Sequence, residues 1–126
     1  MKEEEEINRL TEKIIGFAIK VHKVLGPGFV EKIFERALIY EFEKAAIDFQ
    51  NQFQVKIKYK EMKIGIQRVD FIIEDTVLLE LKSASRIIPV FEAQLLSYLK
   101  ASGKRVGLLL NFGRKRLEIR RMVNQL

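Results

Sequence analysis

Residues 69–82 read VDFIIEDTVLLELK, which is two short apolar runs separated by Glu74-Asp75. Apolar runs of this length with turn residues between them predict two paired strands. Because strand side chains alternate, Glu80 and Lys82 are expected on one face, about 6–7 Å apart along the strand. A hairpin that turns at Glu74-Asp75 places Asp70 opposite residue 79 or 80. The pattern therefore predicts that two carboxylates and an ammonium group converge on one patch.

Such a patch has two chemical interpretations. Two adjacent carboxylates repel each other unless a cation or a proton lies between them, and oxygen donors in a chain without cysteine suit Mg²⁺ or Mn²⁺. Lys82 beside such an ion would hold a water molecule or a negatively charged transition state. The alternative is a surface ion pair of Lys82 with Glu80 or Asp70, which is worth under about 1 kcal/mol.

The surrounding sequence predicts an α/β sandwich with a mixed sheet. Apolar residues at steps of three and four predict helices over 7–25 and 29–46, and alternating patterns predict strands over 53–60 and 66–73. A predicted helix over 89–101 joins the strand at 76–82 to a continuous apolar strand at 106–110, and a last alternating strand covers 116–123 as a sheet edge. A helical crossover of this kind joins parallel strands, so we expect a mixed central sheet flanked by helices. Residues 1–6 are expected to form a disordered acidic tail on a single domain that spans 1–126.

Composition and charge exclude several classes of site and of protein. The chain has 126 residues, a formal net charge of +6 and no cysteine, which excludes disulfides, thiolate zinc sites and cysteine nucleophiles. No apolar run approaches the about 20 residues of a membrane span, and the acidic start lacks the apolar core of a signal peptide. We therefore expect a cytoplasmic protein without a membrane partner. Residues 100–126 contain eight basic side chains and one acidic one, which would attract a phosphate-bearing partner or simply keep the surface soluble.

Several motifs in this order resemble a known superfamily. Asp70, then ELK at 80–82, then QLLSY at 94–98 resemble the core of the PD-(D/E)XK nucleases, and the Gln94-x-x-x-Tyr98 element looks like their RecB-like branch. The stretches GPGFVEKIF at 26–34, EAQLLSYLK at 92–100 and RVGLLLNFG at 105–113 resemble the GxxExxY proteins. Together they cover roughly 14–124. Two departures are visible, since Phe34 stands where that motif ends in Tyr and Val69, not Pro, precedes the aspartate.

The resemblance implies a restriction-endonuclease-like α/β sandwich with a divalent-metal site. It assigns metal binding to Asp70, Glu80 and the backbone carbonyl of Leu81, and the catalytic lysine to Lys82. It also implies that Glu31 supports the metal or its water, although Glu31 alone would be an exposed helix glutamate.

The remaining motif residues have less specific interpretations. Gln94 and Tyr98 match the helix motif that borders the site in this family, and they also suit plain packing with polar tips. His22, the single histidine, precedes the turn at 26–28 and is expected to pack or to close a helix rather than to bind a metal. Arg114, Lys115 and Arg116 would hold nucleic-acid phosphates or protect an edge strand from aggregation.

The predicted function is a Mg²⁺- or Mn²⁺-dependent nuclease that hydrolyses phosphodiester bonds of DNA. One alternative is a catalytically inactive protein with the nuclease fold that acts as a nucleic-acid- or protein-binding adaptor, because a fold does not guarantee an activity. Another is a small structural or oligomerisation protein in which Glu80 and Lys82 only form ion pairs. The sequence is compatible with a homodimer or with binding to another protein.

Overall fold

The computed structural model describes residues 2–125. The chain begins with two helices, α1 (Lys2–Leu25) and α2 (Glu31–Lys44). Three strands follow, β1 (Phe49–Tyr59), β2 (Met62–Ile73) and β3 (Val77–Lys82). The chain continues with α3 (Pro89–Ser102), β4 (Val106–Asn111) and β5 (Glu118–Val123). Within the described part of the chain, no helix is long and apolar enough to cross a membrane.

The five strands form one sheet in sequence order, β1-β2-β3-β4-β5. β1, β2 and β3 pair antiparallel, β3 and β4 pair parallel across the α3 crossover, and β5 returns antiparallel to β4. The predicted mixed sheet with flanking helices is therefore confirmed. The predicted hairpin register is confirmed as well, because Phe71 lies opposite Leu79 and Ile73 opposite Val77.

The sheet is covered on its two faces by different helices. Phe34, Leu38 and Phe42 of α2 pack with α1 and with Phe71 and Leu79 of the sheet. On the other face, α3 contributes Leu95, Tyr98 and Leu99, which pack on side chains such as Ile72, Leu78 and Leu109. α3 begins with Pro89 and ends at Ser102, and the next residue, Gly103, has a φ of 73°, the left-handed conformation that glycine adopts most easily.

The prediction of a disordered tail over residues 1–6 is wrong for residues 2–6, which form the first turns of α1. Glu3, Glu4 and Glu5 lie in the first turn, where negative charge interacts favourably with the helix dipole. Glu3 also forms an ion pair with Arg105, 3.4 Å between Oε1 and Nη1. Ile7 is buried in the core and anchors this end of the helix. Met1 lies outside the described residues.

The first two strands are longer than predicted, since β1 begins at Phe49 and β2 at Met62. β2 pairs with β3 only from Phe71 to Ile73, whereas its pairing with β1 continues to Met62. Residues 53–69 therefore leave the main sheet as a two-stranded extension, which we call the β-ribbon. Asp70 stands at the fork where the β-ribbon and β3 diverge.

The side-chain alternation of β1 and β2 inverts at this fork. Phe49 packs on the α1–α2 side of the sheet, yet Phe53, four residues later, packs on the α3 side. β2 inverts likewise, because Phe71 faces α1 and α2 whereas Val69 faces α3. The inversion coincides with Gln52, which has a φ of 56°, a left-handed conformation that is uncommon for a residue with a Cβ.

Candidate functional site

The two predicted carboxylates are tied together by reciprocal hydrogen bonds between β2 and β3. The backbone N–H of Asp70 donates to Oε1 of Glu80 (2.9 Å), and the N–H of Leu81 donates to Oδ2 of Asp70 (2.8 Å). Here β2 turns away from β3, so side chains instead of backbone carbonyls accept these N–H groups. The fork thus places both carboxylates against one strand end, as the sequence predicts.

The two carboxyl groups resist ionisation in this environment. Burial raises the pKa of Asp70, and the charges of Glu35 and Glu31 raise it further. The hydrogen bond from the N–H of Leu81 lowers it in part. Burial and the adjacent charge of Asp70 raise the pKa of Glu80 from 4.5 to about 8. Glu80 is only 8% exposed. Negative charge at the fork is therefore only partly compensated by the protein itself.

The backbone carbonyl of Leu81 also points into the fork. Lys82 directs its carbonyl towards β4, where it accepts a hydrogen bond from the N–H of Phe112 (2.8 Å). The N–H and C=O of one strand residue point to the same neighbour, and successive residues point to opposite neighbours. The carbonyl of Leu81 therefore points towards the diverging β2, on the side where its N–H meets Asp70.

Lys82 lies half-buried beside these groups. Its Nζ is 4.5 Å from the centroid of the Phe91 ring of α3, a cation–π contact. Its charge lowers the pKa of Glu80, against the larger effects that raise it. Within residues 2–125, Lys82 forms no ion pair with a carboxylate. The simple salt bridge that the sequence left open is thus not formed.

Glu31 is the first residue of α2 and is exposed near the fork. Its charge adds to the effects that raise the pKa values of Asp70 and Glu80. It lines an open cleft with residues 28–30, 83–85 and Gly113. In the part of the chain that the structure describes, no group of three or more His, Cys, Asp or Glu side chains could hold a metal ion. Glu31 therefore lies near the carboxylate pair, and its role towards a metal ion or its water stays a prediction.

Tyr98 and Gln94 border the site from α3. Burial, together with the charges of Glu80 and Asp70, raises the pKa of Tyr98, and a hydrogen bond with Gln94 opposes this rise. The Tyr98 hydroxyl also donates a long hydrogen bond of 3.4 Å to Gln67 of the β-ribbon. The tyrosine thus lies between the carboxylate pair and the ribbon, and Gln94 is exposed beside it.

Glu35 is a site residue that sequence reasoning missed. It is only 5% exposed, and its Oε2 accepts hydrogen bonds from Asn51 Nδ2 (2.6 Å) and Gln52 Nε2 (2.8 Å). Gln52 also reaches Oδ1 of Asp70 at 3.3 Å, so its amide links the two acids. One signal was available, since Glu35 follows Glu31 by one helical turn and precedes the buried Leu38 by three residues.

Phe34 explains one departure from the family motif. Its ring is fully buried and stacks on Phe112, with centroids 4.5 Å apart and an interplanar angle of 16°. A hydroxyl at this position would need a hydrogen-bond partner among apolar rings. Phenylalanine suits the position that the structure gives it.

The basic segment at 114–116 lies in the loop after β4, at the same end of the sheet as Lys82. His22 fastens this loop, because its Nε2 donates to the carbonyl oxygen of Arg114 (2.8 Å). His22 is buried and packs against Phe112, with ring centroids 6.0 Å apart, which agrees with the predicted packing role. Arg114, Lys115 and Arg116 are exposed, and Arg114 forms a 3.4 Å ion pair with Glu118.

Asn111 joins this loop to the segment after β3. Its Oδ1 accepts from the N–H groups of Ala84 (2.9 Å) and Gly113 (3.1 Å), and its Nδ2 donates to the Ala84 carbonyl (3.0 Å) and to Glu118 (2.8 Å). Gly113 is packed so closely that a Cβ there would lie 2.2 Å from the carbonyl oxygen of Ala84. The Asn111 side chain therefore holds the cleft wall next to Glu31 with four hydrogen bonds.

The donor set at the fork fits a hard divalent cation. Asp70, Glu80 and the Leu81 carbonyl offer oxygen atoms only, which Mg²⁺ and Mn²⁺ prefer over nitrogen or sulfur. Each carboxylate keeps acceptor capacity beyond its hydrogen bonds, since two oxygens carry about four acceptor sites. A cation would also offset the like-charge repulsion that raises the pKa of Glu80.

Comparisons with known proteins agree with this architecture. The crystal structure of SSO0001 aligns with a TM-score of 0.58 at 19% identity, over 75% of this chain and 50% of that one. An alkaline exonuclease from Laribacter hongkongensis, LHK-Exo, aligns with a TM-score of 0.54 at 10% identity, over 75% of this chain and 56% of that one. At these identities the likeness shows the fold alone, and this chain spans about half the length of both proteins.

No curated protein matches the chain. A family model does, and it describes the PD-(D/E)XK nuclease superfamily and matches residues 8–122. The matched segment contains the fork, both carboxylates, Lys82 and the loop at 114–116. With the match extending over nearly the whole sequence, the chain belongs to the PD-(D/E)XK nuclease superfamily.

Proposed function

We propose that this protein is a divalent-metal-dependent nuclease that hydrolyses phosphodiester bonds of DNA, with Mg²⁺ or Mn²⁺ as the ion. The observation that carries the proposal is the state of Lys82. Its ammonium group rests on the Phe91 ring beside two carboxylates and is not neutralised by an ion pair in residues 2–125. A lysine held in this way keeps its charge available for a phosphate.

Asp70, Glu80 and the Leu81 carbonyl would hold the ion, which when bound polarises the scissile phosphate and lowers the pKa of a water molecule. Lys82 orients the attacking water or stabilises the charge that develops on the phosphate. Glu31 positions this water from the start of α2. Gln94 and Tyr98 form the wall of the site on the α3 side.

The basic segment Arg114, Lys115 and Arg116 is proposed to hold the nucleic-acid backbone. These exposed side chains lie at the same sheet end as Lys82 and follow Gly113, which lines the cleft with Glu31. Contacts to phosphate position a nucleic acid without reading its bases. The segment therefore supports substrate binding without sequence specificity.

A finer family placement is also our proposal. Gly28, Glu31 and the Gln94-x-x-x-Tyr98 element favour a GxxExxY-type protein of the RecB-like branch. Two positions support this placement. Glu31 begins α2 at the cleft, and the charges of the carboxylate pair raise the pKa of Tyr98. Phe34 is the departure from this pattern.

The test compares wild type with Lys82→Ala on a panel of DNA substrates in the presence of Mn²⁺. We expect cleavage by wild type and a loss of about 10²-fold or more in the variant, the scale for removal of one electrostatic group in a transition state. Mn²⁺ binding, measured by calorimetry, should persist in Lys82→Ala and disappear in Asp70→Ala. Lys44→Ala, which removes an exposed lysine of α2, is the matched control and should cleave like wild type.

Three outcomes would contradict the proposal. Equal cleavage by wild type and Lys82→Ala would mean that the activity belongs to a contaminant or that Lys82 is structural. Mn²⁺ binding without cleavage of any substrate would favour a nuclease-fold adaptor. The absence of Mn²⁺ binding that depends on Asp70 would remove the metal site itself.

A further inference from the structure

The β-ribbon has two faces of different character. One face packs on α3, because Phe53, Val55 and Ile57 join the core that contains Tyr98 and Leu99. The other face carries three directly opposed pairs, which are Gln54–Arg68, Lys56–Ile66 and Lys58–Lys63. All six of these side chains are exposed. We call this second surface the bare face of the β-ribbon.

The bare face carries four positive charges and no negative one. In the described part of the chain, none of its four basic side chains forms an ion pair with a carboxylate. Lys58 lies directly opposite Lys63, and like charges at directly opposed positions destabilise a strand pair. The fold therefore retains a local repulsion that a negatively charged partner would relieve.

We infer that the bare face of the β-ribbon binds the sugar–phosphate backbone of duplex DNA next to the catalytic site. This inference rests on the proposed function. Arg68 is two residues from Asp70, about 7 Å along β2, and the Lys58–Lys63 pair is about 14 Å farther from the fork. A two-stranded β-ribbon fits the major groove of B-DNA, and the phosphates of each strand recur about every 3.4 Å along the helix axis. The face is thus long enough to follow several phosphates.

A second copy of the chain is a poorer occupant of this surface. Two bare faces that meet about a two-fold axis bring four cations against four, because the same patch contributes from both sides. Exposed Ile66 adds one apolar contact, which is small beside that repulsion. Charge complementarity therefore favours a polyanion.

The first experiment measures how the affinity for a DNA duplex depends on salt, without added metal ion so that the duplex stays intact. The ribbon variant carries Lys56→Ala, Lys58→Ala and Arg68→Ala. The control carries Arg9→Ala, Lys13→Ala and Lys44→Ala, three exposed cations of α1 and α2 with the same change in net charge. Three lost phosphate contacts should lower the slope of log K against log salt by about 2.7. The ratio of wild-type to ribbon-variant affinity should then shrink about 40-fold between 50 and 200 mM salt, whereas the control should keep the wild-type slope.

The second experiment locates the DNA directly. The chain has no cysteine, so Ile66→Cys provides a single thiol on the bare face for a photo-crosslinking label. Lys44→Cys on α2 is the control position. Light should join the label at residue 66 to the duplex, and the label at residue 44 should give little DNA product.

The outcomes separate this inference from the proposed function. A wild-type slope in the ribbon variant, with intact DNA binding, would overturn the role of the ribbon and leave the nuclease proposal standing. Crosslinks from residue 66 to a second protein chain instead of DNA would assign the face to self-association and also overturn it. If wild type binds no DNA at any salt concentration, the DNA nuclease proposal fails and the ribbon inference fails with it.

Discussion

Replacing Glu80 by glutamine should stabilise the metal-free protein at pH 8. The pKa of Glu80 is raised from 4.5 to about 8 by burial and by the charge of Asp70. An acid with a raised pKa favours folding in its protonated form, so this contribution is complete below pH 4.5 and is lost as the pH rises through 8. Glu80→Gln imitates the protonated side chain and keeps an oxygen that can accept the hydrogen bond from the Asp70 N–H.

The magnitude follows from the two pKa values of Glu80. Each pH unit over which Glu80 is protonated in the folded state but ionised in the unfolded state lowers the free energy of unfolding by about 1.4 kcal/mol, so the loss between pH 5 and pH 8 is on the order of a few kcal/mol. The difference in unfolding free energy between Glu80→Gln and wild type should therefore be small at pH 5 and rise by several kcal/mol up to pH 8. That is a large fraction of the stability of an ordinary domain.

The assay is chemical denaturation in EDTA at several pH values from 5 to 9, with both proteins measured side by side. Glu43→Gln, which changes an exposed glutamate of α2, is the control and should follow the wild-type curve. Addition of Mn²⁺ at pH 8 should stabilise wild type, because a ligand that binds only the folded state shifts unfolding, and it should have little effect on Glu80→Gln. A difference between Glu80→Gln and wild type that stays constant from pH 5 to pH 8 would refute the reasoning.

Three further outcomes are expected. Gly113→Ala should lower the free energy of unfolding by about 1–3 kcal/mol in denaturant titration, because the added Cβ would collide with the carbonyl oxygen of Ala84. Gly16→Ala is the control and should raise the free energy of unfolding by up to about 1 kcal/mol, because Gly16 lies in α1 with open space around it. Gln52→Gly should be more stable than Gln52→Ala by about 1 kcal/mol, since glycine adopts a positive φ without the Cβ penalty; equal denaturation midpoints would argue against strain there. Simultaneous Ala substitution of residues 114–116 should lower the salt slope of DNA binding by up to about 2.7, and an unchanged slope would assign this loop to solubility.

The carboxylate pair and the succession of helices and strands along the chain were predictable because they depend on local patterns. The turn at Glu74-Asp75 sets the register of β2 on β3, so Asp70 and Glu80 follow from counting residues. The continuous apolar run at 106–110 predicted a strand covered on both faces, and every residue of β4 is buried. These inferences need only the periodicity of a strand and the length of a turn.

The hydrogen-bond network behind the site was not predictable in the same way. Glu35 looks like one more charged residue of a helix, and its burial depends on Gln52, which lies on a strand 17 residues farther along the chain. The φ of 56° at Gln52 breaks the alternation on which strand prediction relies. The side chain of Asn111 likewise forms four hydrogen bonds, with Ala84, Gly113 and Glu118. Such tertiary contacts override the local pattern.

The β-ribbon extends beyond the fork, because β2 pairs with β3 only at residues 71–73, so its length can change without altering the geometry of the fork. Two residues added to each strand near Tyr59 and Met62 would lengthen the ribbon by about 7 Å, and every side chain would keep its face because strands repeat every two residues. A single added residue can be absorbed as a bulge, such as the register shift already present at Ile57–Lys58. The length of the β-ribbon and the arrangement of the carboxylate pair can therefore vary independently, and ribbons of different length can be built onto one unchanged pair of carboxylates.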